Sequence, residues 1–94
     1  MPKYKFEVLF HPSITGHSYS IETVVDKGTK ISIALFNTIR KDQKLFDRIF
    51  KDKEVKAGYL ILKGKEELRS THQLENFIEE DLVIRIVPIS HGGN

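Results

Sequence analysis

Two stretches far apart in the chain alternate in the same way. In YKFEVLF (4–10), Tyr4, Phe6, Val8 and Phe10 fall on one side, and Lys5, Glu7 and Leu9 on the other. In LVIRIVPI (82–89), Leu82, Ile84 and Ile86 oppose Val83, Arg85 and Val87. A period of two matches an extended backbone, whose successive side chains point to opposite faces, so both read as half-buried strands. Each strand needs a sheet to satisfy its backbone and a covering layer to bury its apolar side.

The intervening residues supply both. SYSIETVV (18–25) alternates again, with Tyr19, Ile21 and Thr23 on one face, and HPSITGH (11–17) before it carries Pro, Ser and Gly. Together with 4–10 this predicts an antiparallel hairpin with a connection longer than the tightest turns. DKGTK (26–30) ends the strand. Ile31, Ala34, Leu35 and Ile39 then recur at helical spacing, with Ser32 as the expected N-cap and Arg40 and Lys41 at the negative end of the helix dipole. Leu45, Phe46, Ile49 and Phe50 form a second cluster at helical spacing, either a continuation or a separate short helix. VKAGYLILKGKEEL (55–68) holds a short apolar run, Tyr59–Leu62, bounded by glycines, which reads as a buried strand and a turn. HQLENFIEED (72–81) reads as a short helical turn packing Leu74, Phe77 and Ile78, and Pro88 closes the last strand.

The order is strand, strand, helix, strand, short turn, strand. One main helix packed on one face of a mixed four- to five-stranded sheet is the α+β arrangement called the β-grasp. With 94 residues, one domain and two layers are expected, over residues 1–89, followed by a slender tail, 90–94, that holds Gly92-Gly93. Fifteen basic against thirteen acidic residues leave a net charge of +2, which is too balanced to argue for nucleic acid. The chain has no cysteine, which excludes a disulfide framework, thiolate metal ligation and a cysteine nucleophile. No apolar run is long enough for a membrane span, and MPKYKFEVLF is not a signal peptide, so a cytoplasmic protein without a membrane partner is expected.

VKAGYLILKGKEEL and EEDLVIRIVPISHGG resemble the ubiquitin-like sulfur carriers: the molybdopterin-synthase small subunit, the thiamine-pathway sulfur carrier and the ubiquitin-related modifier. By order of elements the resemblance covers most of the chain. Its specific part is roughly the last 40 residues, and the SHGG ending is of the ubiquitin-related modifier kind. Two positions depart from the family pattern. Lys63 stands where relatives carry a turn Asn, and Asn94 follows the second glycine, where mature carriers end.

The resemblance implies a carrier or modifier, not an enzyme, with no bound cofactor and no catalytic residue of its own. Gly92 and Gly93 lack a β-carbon, so a tail carrying them can enter a narrow channel. An adenylating enzyme of the ubiquitin-activating type would use ATP to activate the Gly93 carboxylate. A thiocarboxylate, a thioester or an isopeptide to a target lysine would follow. The first would let a chain without cysteine carry sulfur to an acceptor. Gly93 bears an amide carbonyl while Asn94 is attached, so processing between Gly93 and Asn94 is expected, by a peptidase such as a zinc metallopeptidase.

If Tyr4, Phe6, Val8 and Phe10 face the helix, Leu9 faces out, as do Val83, Arg85 and Val87. In a β-grasp sheet the first and last strands are neighbours. Leu9, Val83 and Val87 around Arg85 are therefore the expected partner-docking strip, with Tyr59 or Ile61 joining it and His91 aiding recognition in the tail. Other motifs are weaker. His11 and His17 near a turn lack a carboxylate or thiolate to complete a metal site. Glu79, Glu80 and Asp81 read as a solvated acidic turn, and LKGK (62–65) lacks the phosphate-loop spacing. The alternative is a non-conjugated β-grasp interaction module, such as a phage tail-assembly-like or scaffold domain.

Overall fold

A computed structural model describes residues 2–89. β1 (Lys3–Phe10) and β2 (Tyr19–Asp26) pair antiparallel, Lys3 opposite Asp26 and Phe10 opposite Tyr19. The residues expected to make a plain turn between them form one helical turn, α1 (Pro12–Thr15). Pro12 presets the first backbone angle, His11 Nδ1 accepts from the Ser13 N–H at 3.1 Å, and Gly16 closes the turn at φ 83°. The geometry aims Ile14 into the core.

α2 (Ile31–Ile39) buries Ile31, Ala34, Leu35, Thr38 and Ile39 on one face, as the spacing predicts. Its N-cap is Lys30, not Ser32. The Ile31 and Ser32 N–H groups donate to the carbonyls of Asn76 and Leu74, at 3.0 and 2.8 Å. A distant loop satisfies the helix start, so no side-chain cap is needed.

The second apolar cluster is a separate helix, α3 (Gln43–Ile49), capped by Asp42, whose Oδ1 accepts from the Leu45 N–H at 3.1 Å. Phe36, Phe46 and Phe50 pack ring to ring with centroids 4.8–5.6 Å apart. Two short strands, β3 (Phe50–Lys51) and β4 (Glu54–Val55), follow as a hairpin that the alternation does not announce, with Asp52 at φ 57° in its turn. β5 (Tyr59–Lys63), a turn at Gly64 and β6 (Glu66–Glu67) precede the last strand, β7 (Leu82–Pro88).

The main sheet has the order β2-β1-β7-β5-β6. β7 is central, parallel to β1 and antiparallel to β5. Phe6, Val8, Phe10, Ile61, Leu82, Ile84 and Ile86 are buried together with the apolar faces of α2 and α3. Each such side chain removed from water contributes roughly 1.5–3 kcal/mol before chain entropy is counted.

Residues 72–81 do not form the expected helical turn. Their backbone pairs with the loop before α2 instead: Ile78 N–H donates to Thr29 O at 2.7 Å, and Gly28 N–H to Ile78 O at 2.9 Å. That extended pairing points alternate residues in opposite directions. Ile78 is fully buried, Leu74 partly buried, and Phe77, expected inside, is 59% exposed.

Candidate functional site on the outer sheet face

The register assigns every outward-facing residue. Across β1 and β7, Glu7 lies beside Val83 and Leu9 beside Arg85. Across β7 and β5, Val87 lies beside Leu60 and Arg85 beside Leu62. Directly paired residues share a face, so Leu9, Val83, Arg85, Val87, Leu60 and Leu62 form one continuous surface. Val83 is 49% exposed and Arg85 is exposed, while Leu9, Val87, Leu60 and Leu62 are half-buried. Arg85 stands at the centre and forms no ion pair with another described residue.

The four described docking residues read from the sequence, Leu9, Val83, Arg85 and Val87, thus come together. The β5 contribution is different from the expectation. Ile61 is opposite Ile86 and fully buried, and Tyr59 packs against the core. Leu60 and Leu62 take their place on the outer face. YLILK is apolar on both faces, so its alternation carries no phase. A one-residue difference in register exchanges the two sets.

Toward β2 the face becomes charged. Val24, 60% exposed, lies beside Lys5, and Glu22 lies directly opposite Glu7. Lys3 pairs with Asp26, and its ammonium, by hydrogen bond and by charge, holds the Asp26 carboxyl below its ordinary value. At the end of the sheet where β7 begins, Asp81 Oδ1 accepts from the Lys5 backbone N–H at 2.9 Å and Glu80 lies 4.0 Å from Lys63. The acidic run 79–81 therefore finishes the sheet rather than assembling an acid–base pair.

Glu67 anchors the edge of β5. Partial burial pushes its carboxyl up. The Ile61 and Ser70 N–H groups, at 3.0 and 2.7 Å, outweigh that with help from the Ser70 hydroxyl and Arg69, and the carboxyl titrates below its ordinary range. Arg69 donates to the carbonyls of Val55, Lys56 and Tyr59, which holds the β3–β4 hairpin against the start of β5. His11 is used in the α1 cap, and His17 meets the Tyr19 ring edge-on with centroids 6.1 Å apart. No group of three or more His, Cys, Asp or Glu side chains suited to a metal occurs among the described residues.

β7 ends at the margin of the sheet where β1 also ends. There Ile89 N–H donates to Gly58 O at 2.8 Å, and His11 N–H to Ile86 O at 3.0 Å. His91, Gly92, Gly93 and Asn94 lie outside the described residues. No helix among the described residues is long and apolar enough to cross a membrane.

No protein-family profile matches the chain, and no curated protein does. Solved structures do match. The chain superimposes on the solution structure of the Haloferax volcanii HVO 2177 protein with a TM-score of 0.70 at 21% identity, over 97% of this chain and 88% of that one. It superimposes on the crystal structure of H. volcanii small archaeal modifier protein 1 with a TM-score of 0.71 at 18% identity, over 93% and 99%. The solution structure of small archaeal modifier protein 1 from Methanosarcina acetivorans gives 0.69 at 18% identity, over 99% and 100%. The chain thus has the ubiquitin-like β-grasp fold of the small archaeal modifier proteins.

Proposed function

We propose that this chain is a ubiquitin-like protein modifier or sulfur carrier, a substrate of other enzymes and not itself an enzyme. The observation that carries the reading is a conjunction. Gly92-Gly93 follows within a few residues of Pro88, the end of the central strand of a β-grasp sheet. The β-grasp neighbours whose structures are named as modifier proteins support it, and so does the apolar strip around Arg85 on the strand that leads to the tail.

The chemistry follows from the end group. Hydrolysis of the Gly93–Asn94 peptide bond, by a peptidase such as a zinc metallopeptidase, yields a free Gly93 carboxylate. A carboxylate is a poor acyl donor because oxide is a poor leaving group. Its oxygen attacks the α-phosphorus of ATP on an activating enzyme, and pyrophosphate departs. The acyl adenylate is a mixed anhydride with AMP as leaving group. Attack by hydrosulfide gives a thiocarboxylate, by a partner's thiolate a thioester, and by a target lysine an isopeptide. The two glycines leave that carbonyl unshielded on both sides. The domain's part is to present the tail and to dock through Leu9, Leu60, Leu62, Val83, Arg85 and Val87.

Intact-mass measurement tests this. Protein recovered from its native host should lack Asn94. Incubation of the trimmed chain with the activating enzyme, ATP and a sulfur donor should add the mass of sulfur in place of one oxygen. Quantitative retention of Asn94, together with no adenylate from the trimmed chain, would refute the proposal.

A further inference from the structure

A cavity of about 420 Å³ lies between the α1 turn and α3. Ile14, Thr15, His17 and Tyr19 line it from one segment, and Asp42, Lys44, Leu45 and Arg48 from the other. Two hydrogen bonds tie these walls together. Arg48 Nη1 donates to Ile14 O at 2.7 Å, and the Tyr19 hydroxyl donates to Asp42 Oδ2 at 3.3 Å. The floor is apolar: Ile14 and Leu45 are buried, and the Tyr19 ring is half-buried. With the His17 ring edge-on to it, part of the lining is aromatic. An apolar hollow of this size with a few polar groups at its rim suits a small molecule.

The rim is cationic. Lys44 and Arg48 stand four positions apart in α3 and so share one helix face, and His17 joins them from the β1–β2 connection. All three are exposed, and none forms an ion pair with another described residue. The acid in the cavity does not answer them. Asp42 Oδ1 accepts from the Leu45 N–H and its Oδ2 from the Tyr19 hydroxyl, so both oxygens are already engaged. Like charges four positions apart on a helix destabilise it, and nothing in the packing of α3 requires them there. An anion between Lys44 and Arg48 relieves that repulsion.

We propose that this cavity binds a small phosphate monoester with an aromatic body, the ring against Tyr19 and Leu45, the phosphate between Lys44 and Arg48, and the His17 imidazole as a further polar partner. Two permanent cations match the nearly two negative charges of such an ester, and a guanidinium presents several N–H donors to phosphate oxygens. One Arg48 donor stays on Ile14 O, which fixes the head group for the others. A carboxylate brings one charge where the rim offers two. A nucleic acid is the poorer occupant, because a net charge of +2 leaves no extended basic face along which its backbone could run. The cavity lies on the helix side of the sheet, apart from the strip around Arg85, and does not depend on tail chemistry.

An amide-resolved NMR titration of the full chain with phenyl phosphate tests it. The largest shifts should fall on Thr15, His17, Lys44, Leu45 and Arg48. Inorganic phosphate, phenylacetate and benzyl alcohol should each bind about tenfold more weakly or worse, since each lacks the ring, the second charge or the anion. Lys44→Gln should weaken phenyl phosphate about tenfold, and Lys44→Arg should retain it. Asp42→Asn keeps a side-chain oxygen for the Leu45 N–H and removes the one negative charge, so it should tighten binding about threefold. No binding, equal binding of inorganic phosphate or phenylacetate, or indifference to both Lys44→Gln and Asp42→Asn would each overturn the proposal. So would shifts spread equally over Lys53, Lys63 and Arg85, which would mean attraction to any surface cation.

Discussion

The same strands carry two different surfaces. On the inner face of β1 and β7, Phe6, Val8, Phe10, Leu82, Ile84 and Ile86 are all buried. On the outer face, Lys5, Glu7, Leu9, Val83, Arg85 and Val87 are half-buried or exposed and chemically mixed. The inner set answers one demand, to fill the space beneath α2 and α3. The outer set has no such demand, so its apolar members are not explained by the fold. Stability should depend on the first set and binding on the second, and the two should separate under mutation.

The largest effect should come from the inner face. Phe6→Ala should cost roughly 3–5 kcal/mol, measured as a lowered urea midpoint. Val83→Ala, on the neighbouring strand but the outer face, should stay within about 0.5 kcal/mol of the parent. Equal losses would show that the outer face is packed against something and would end the distinction.

The outer face should respond in the opposite sense. Leu9→Asp with Val87→Asp should weaken capture by an adenylating enzyme by about 2 kcal/mol or more while the urea midpoint holds, as expected where docking rests on a few central residues. Unchanged capture removes the strip from the proposed function and leaves the tail chemistry to be tested separately.

How far the two faces were legible depended on the strand. In YKFEVLF, Lys5 and Glu7 mark the outer phase, and in LVIRIVPI the single Arg85 marks it, so the phase is in the sequence, and Leu9, Val83, Arg85 and Val87 are legible as its outer members. In YLILK both phases are apolar, and only the pairing of Ile61 with Ile86 decides that Leu60 and Leu62 face out. The Ser32 cap and the helical turn at 72–81 failed for one shared reason. The residues of each segment carry only its local propensity, whereas both segments satisfy their backbone with each other: Ile31 and Ser32 with Asn76 and Leu74, Ile78 with Thr29 and Gly28. Local propensity cannot report a partner more than forty positions away. The cavity between α1 and α3 was equally hidden, since only the fold brings His17 and Tyr19 to Lys44 and Arg48.

Glu67 lies opposite Leu62 at the margin of the outer face, but its carboxylate is spent on backbone N–H groups, and a pH titration isolates it. Glu67→Ala strands the Ile61 and Ser70 N–H groups at the β5–β6 edge and should cost about 1–3 kcal/mol. The folded carboxyl lies below its ordinary value of 4.5, so its contribution is present above that value and is lost as pH falls through the folded value. The parent should therefore lose stability on acidification below about 4.5 more steeply than Glu67→Gln. Identical acid profiles would mean that other carboxylates govern the decline.

The smallest effect should be a gain, from inside the buried set. Thr38 is 1% exposed, yet its Oγ1 has no hydrogen-bond partner among the described residues. An unpartnered buried hydroxyl is a cost, and valine has nearly the same shape without it. Thr38→Val should raise stability by about 1 kcal/mol, seen as a melting point higher by about 4–8 °C for a domain of this size. Thr38→Ala removes the same hydroxyl but also a methyl from a packed helix face, so it should fall below the valine variant. That order, valine above threonine with alanine below valine, separates release of a stranded polar group from a simple change of volume. A lower melting point for Thr38→Val would mean that the hydroxyl is satisfied in solution, by the α2 backbone or by water between β2 and α2.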